Sequence, residues 1–169
     1  MPAMDLISSN RSTLEFREAT NPLASHIDFA LLSAALMQAL RTTVFSSGLS
    51  VSPKRVNQIG SEMGAAFFGF YPHKDANQAL ALGRRFANEG LGPRSVLSMT
   101  EALRRTCREH ANPLTDLIDA AGEFSNSLLE GYMAGREEIL LDVQERTHRA
   151  YLAALHRQQE ESEPLVPGE

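Results

Sequence analysis

Cysteine is nearly absent: Cys107 is the single one in 169 residues. That excludes an internal disulfide framework and fits a reducing cytoplasm. Long apolar runs are missing as well. The most apolar stretch, from Phe29 to Met37, has the length of a buried helix and falls short of a membrane span. The opening segment MPAMDLISSNRSTLEF carries acids where a signal peptide would carry its apolar core. Charge of one sign is not concentrated anywhere. Arg84, Arg85, Arg104, Arg105 and Arg108 are interleaved with acids and apolar residues, and the net charge is −5, so nucleic acid is not an expected partner. HExxH, CxxC, Walker and GxSxG patterns are all lacking, and the histidines are scattered. Neither a catalytic residue nor a metal site is expected, and the chain is read as non-enzymatic. Its length suits one cytoplasmic domain with a real core.

What the chain does have is proline in regular places. Proline fits the first helical turn, because its φ is already helical and its missing N–H would be unpaired there. Asn21-Pro22, Ser52-Pro53, Gly92-Pro93 and Asn112-Pro113 each join a plausible cap to a helix start. Tyr71-Pro72 is a weaker signal, and Asp75 can cap a start slightly later. Gly48 and Gly90 supply stops. No stretch alternates with a period of two for long enough to make a strand.

Apolar spacing agrees with this punctuation. From Leu23 to Val44 apolar residues fall on nearly every face, which marks a central, buried helix. Val56, Ile59, Met63, Phe67 and Phe70 form one stripe at helical spacing; Ala79, Leu82 and Phe86 form another. Val96, Met99, Leu103, Cys107 and His110 form a fourth. In residues 1–20, Leu14 and Phe16 could dock a short helix. The expected architecture is all-α, with four or five helices joined by short loops.

The last helix is too long for such a body. Between Pro113 and about Glu161 there is no further proline, so an uninterrupted helix would span about 75 Å. Leu114, Leu117, Ile118, Ala121, Phe124 and Leu128 supply a core half. Gly122, Gly131 and Gly135 weaken the helix, and Gly131 or Gly135 is where a kink could form. Beyond that, Leu129, Met133, Arg136, Leu140, Val143, Thr147, Ala150 and Ala154 alternate in steps of four and three, the spacing of a coiled-coil seam. They are the expected dimer interface. Asp142–Arg146 and Glu145–Arg149 are placed for i,i+4 pairing on the solvated side. The polar breaks at Arg136 and Thr147 favour an adjustable signalling linker over a permanent clamp. The alternative is a helix folded back on its own body.

The run LLEGYMAGREEILLDVQERTHRAYLAAL, Leu128 to Leu155, resembles the junction in RsbR-type stressosome sensor proteins. LGRRFANEGLGPRSVLSMTEALRRTC, Leu82 to Cys107, resembles their helical sensor regions, and ESEPLVPGE, Glu161 to Glu169, is similar to the segment leading into a STAS domain. In that family a non-haem globin-like domain leads through a long linker helix to a STAS domain. The resemblance covers about the last half of the chain and implies a globin-like helical bundle whose C-terminal helix projects as a coiled-coil linker. It divides the chain into an N-terminal segment (1–20), a globin-like sensor body (21–130), a signalling helix (131–161) and a flexible tail (162–169). It implies a homodimeric sensory input module without haem, with STAS-domain or kinase partners and a small-molecule ligand of unknown kind.

Two other classes stand beside that reading. One is a haem- or bilin-binding sensor on the same helical body, for which His110 and Cys107 are the candidate attachment residues, and His26 and His73 are weaker ones. Against it, a histidine at a helix end usually bonds the last carbonyls, and a lone cysteine on an apolar stripe is usually core. The other class is a ligand-free structural adaptor dimer. The aromatic knot Phe67, Phe68, Phe70 and Tyr71 reads as core, or as the lining of an apolar ligand pocket.

Overall fold

Short-range caps set the helix boundaries. The computed structural model describes residues 27–44, 52–111 and 116–162, the last three of these without their side chains. Five helices and no strand occur among the described residues: α1 (Phe29–Val44), α2 (Pro53–Phe70), α3 (Ala76–Asn88), α4 (Pro93–His110) and α5 (Leu117–Ser162). Pro53 and Pro93 stand in the first turns of α2 and α4, and the Ser52 side chain accepts from the Arg55 N–H. Asp75, not Pro72, marks the start of α3; its carboxylate accepts from the Asn77 N–H.

One start differs from the expectation. The first long helix begins at Phe29 and not near Leu23, because the Asp28 carboxylate takes the Ala30 N–H at 2.9 Å and caps it there. Asn112-Pro113, Leu114, Asn21-Pro22, His26 and Gly48 lie outside the described residues, as does the short helix expected in residues 1–20. α3 stops at a Schellman motif. Gly90 takes φ 81°, the Leu91 N–H donates to the Phe86 carbonyl, and the Gly90 N–H donates to the Ala87 carbonyl.

The four predicted stripes meet in one core. Leu32, Leu36 and Leu40 of α1 are buried with the α2 stripe, with Phe86 of α3, and with Val96, Met99, Leu103 and Cys107 of α4. α1 packs on α2 and α4, and α5 packs on α3 and α4. α1 is therefore not buried all round: Ala34, Gln38 and Arg41 are exposed. The aromatic knot is packed core. Phe67 and Phe70 are buried edge-on against Phe124 of α5, each with ring centroids 5.4 Å apart, and Phe68 meets Phe29 in the same way. Each such ring contributes about 1.5–3 kcal/mol by leaving water. Ile118, expected in the core, is on the exposed side of α5.

α5 is continuous for 46 residues, about 69 Å, against a body roughly 35 Å across. Gly131 and Gly135 lie within it and mark no break in the helix. They are contact points instead. A side chain on Gly131 would begin 2.0 Å from the Leu80 carbonyl oxygen, and one on Gly83 would begin 2.0 Å from that of Leu128. At Gly135 the nearest atom would be the Ala87 Cβ, at 2.9 Å. Small residues here let the α3 and α5 backbones nearly touch. Tyr132 is buried beside them, and its hydroxyl donates to the Leu91 carbonyl at 2.7 Å. The docked part of α5 consequently runs on past 130, where the sensor body was expected to end, as far as Ile139.

Candidate functional site

From Leu140 to Gln159 every residue of α5 is exposed. The helix leaves the body there and carries a set of apolar side chains with it. Of the expected interface residues, Leu140 is 62% and Met133 67% exposed, and Val143, Thr147, Ala150 and Ala154 are also exposed. Leu129 and Arg136 are half-buried, Leu129 packing against the core. The expected seam thus starts on the body and ends clear of it.

The structure also exposes apolar residues that the heptad spacing passed over: Leu141, Tyr151, Leu152 and Leu155. A signal for Tyr151 and Leu155 was present in the charges. On a helix turning about 100° per residue, Asp142, Glu145, Arg146 and Arg149 fall on the side away from Leu140, Tyr151 and Leu155. They neutralise one another there, Arg146 with Asp142 at 2.7 Å and Arg149 with Glu145. Both pairs are those expected from sequence. The face that docks on α3, with Leu128, Gly131, Tyr132, Gly135 and Ile139, is a different one. The exposed stripe is therefore not an extension of the docked face.

The candidates for cofactor chemistry are placed otherwise. His110 is exposed, off the buried stripe that it was expected to continue, and its Nδ1 lies 2.9 Å from the Thr106 carbonyl oxygen. A carbonyl only accepts, so Nδ1 carries the proton and the ring caps its own helix. His73 is exposed on the turn after α2. Cys107 is fully buried, and loss of hydration pushes its thiol up to about 12. As a protonated core residue it is a poor nucleophile and a poor point of attachment. No group of three His, Cys, Asp or Glu among the described residues is placed to hold a metal, and no described helix is long and apolar enough to cross a membrane.

Two polar clusters join helices. Arg55 of α2 donates to Glu62 at 2.8 Å and to Glu89, just past the end of α3, while Arg85 donates to Glu62 at 2.6 Å. Near the start of α5, Asp116 pairs with Lys74 at 3.0 Å. The Lys74 and Tyr71 hydrogen bonds hold the Asp116 carboxyl below its ordinary value. Lys74 has a left-handed φ of 52°, and its ammonium lies 5.1 Å from the Tyr71 ring centroid. Burial, then the Asp116 hydrogen bond, push the Tyr71 hydroxyl up to about 12. Both clusters satisfy their own charges. Two open grooves flank α3. One, of about 500 Å³, lies against α2 and is lined by Glu62, Ala66, Gln78 and Arg85. The other, of about 400 Å³, lies against α5 and is lined by Leu80, Arg84, Glu130 and Ala134.

The described residues thus define an all-helical protein whose most distinctive surface is the free half of its last helix. No protein family, curated protein or solved structure matches the chain.

Proposed function

We propose that the chain is a cytoplasmic sensory or regulatory input module of the stressosome-like, globin-like type. It is a homodimer formed through the free half of α5, and it passes a conformational bias along that helix to a STAS-domain or kinase partner. The observation that carries this reading is the exposure of Leu140 and Val143 on a helix continuous with Phe124 in the core. A shift of α5 against α3 would move the exposed stripe as one rigid piece. A ligand could drive such a shift only by binding the two positions with different affinity.

Sedimentation equilibrium on the full chain tests the dimer. The native protein is expected to be a dimer at micromolar concentration, and Leu140→Glu/Val143→Glu a monomer with unchanged helicity. A native protein that sediments as a monomer would sink the reading. The adaptor and sensor readings separate in a thermal-shift screen of small molecules, since a ligand selective for the folded state raises Tm. The haem or bilin reading loses its best ligand to the His110 cap; a strong visible absorption band in freshly purified protein would restore it.

A further inference from the structure

The exposed stripe repeats every eleven residues. Leu140 and Tyr151 stand eleven apart, continuing from Leu129, which is half-buried on the body, and Met133, Gln144 and Leu155 are spaced in the same way. A heptad corresponds to about 3.5 residues per turn, an eleven-residue repeat to about 3.67. The undistorted helix has about 3.6. Followed as heptads from Leu140 and Val143, the seam runs through Thr147, Ala150, Ala154 and Arg157 and meets no further bulky apolar side chain. Followed in elevens, it takes in Gln144 and Thr147, then Tyr151, Leu155 and Gln158. Tyr151 is 61% exposed and Leu155 37%, so the second path accounts for bulky side chains that the first leaves on the flank.

The same path is free of formal charge. Between Leu140 and Gln158 the charged residues are Asp142, Glu145, Arg146, Arg149 and Arg157, and all of them turn away from it. A stripe bearing one sign of charge would repel its own copy, whereas this stripe of apolar and neutral polar side chains meets its copy without repulsion. The path runs for about 27 Å of helix, from Leu140 to Gln158.

Building on the dimer proposed above, we infer that a second copy of this chain packs along α5 in eleven-residue register. Tyr151 and Leu155 are its distal anchors, and the two helices run nearly straight or with a slight right-handed twist. A left-handed heptad coil would instead bury Ala150 and Arg157.

Cysteine substitutions made one at a time in the full chain distinguish the two registers without removing an anchor. Gln144→Cys and Gln158→Cys report the eleven-residue seam; Ala150→Cys and Arg157→Cys report the heptad seam. The buried, protonated Cys107 leaves the background unlabelled. Each rate of thiol labelling is compared with the same variant carrying Leu140→Glu/Val143→Glu. Several-fold protection at 144 and 158, with none at 150 and 157, is expected. Leu155→Glu should also dissociate the dimer while Ala150→Glu leaves it intact. The reverse pattern, or equal rates at all four positions in a protein that sediments as a dimer, overturns the register and leaves the dimer standing. A monomer in the same sedimentation run overturns both.

Discussion

Gly131 lies so close to Leu80 that a side chain at Gly131 would begin 2.0 Å from the Leu80 carbonyl oxygen. The obstacle is backbone on both sides of this crossing, since Gly83 meets the Leu128 carbonyl in the same way. Neither helix can yield by turning a rotamer, so α3 and α5 must separate to admit a methyl group. Gly131→Ala and Gly83→Ala are each expected to cost about 3 kcal/mol or more, at the upper end of overpacking effects. Gly122 is the control: nothing lies within 4 Å of a side chain built there. Gly122→Ala should stabilise by about 0.5–1 kcal/mol through helix propensity alone. Urea unfolding measures all three, and similar values at Gly131 and Gly122 would rule out the close contact.

Tyr132 holds the crossing at its edge. Its hydroxyl reaches 2.7 Å to the Leu91 carbonyl, just past the turn that ends α3. Tyr132→Phe keeps the ring but leaves that carbonyl without its donor. A loss of about 1–2 kcal/mol is expected in the urea midpoint with an unchanged slope. A neutral substitution would mean that water replaces the hydroxyl and that the turn is held by Gly90 alone.

These contacts show what the sequence could and could not reveal. Helix starts at Pro53 and Pro93, the later start at Asp75 and the stop at Gly90 were legible because each is decided within a few residues. The stripes of α2, α3 and α4 were legible for the same reason, a period being a local property. Gly131 and Gly135 were read as weak points in a helix because propensity concerns one helix, while their role depends on α3 passing against them. The exposed stripe was half legible. Leu140 fits both a heptad and an eleven-residue repeat while Val143 fits the heptad alone, and the choice turns on Tyr151 and Leu155, whose exposure required the fold. Ile118 and His110 continued apolar stripes by spacing, yet each stands on the outer side of its helix.

Arg55 ties the start of α2 to the end of α3 by donating to both Glu62 and Glu89. Its side chain is about 29% accessible, so the pairing is partly screened and its worth modest. Arg55→Met is expected to cost on the order of 1 kcal/mol at low salt, less at high salt as Arg85 and the solvent take over the carboxylates. Thermal unfolding at two ionic strengths reads this difference. A cost independent of salt would show that the aliphatic stem of Arg55 matters more than its charge.

Cys107 and Tyr71 together make the fold sensitive to alkali. In the unfolded chain these groups ionise near 9.0 and 10.0, and in the folded protein burial pushes both up to about 12. Above about pH 9 the unfolded thiol gives up a proton that the native thiol keeps, so the unfolded state gains. Stability should therefore be unaffected by these groups below pH 9 and fall between about 9 and 12. The Cys107 contribution approaches about 1.4 kcal/mol per pH unit within that window. Cys107→Ala lowers stability at neutral pH by leaving a small cavity, but its decline between pH 9 and 11 should be shallower than that of the native protein. In native protein at pH 8, Cys107 should resist thiol reagents until the chain is unfolded. A thiol that reacts at the rate of a free cysteine, or an alkaline decline unchanged in the variant, would place Cys107 in contact with solvent and remove it from the core.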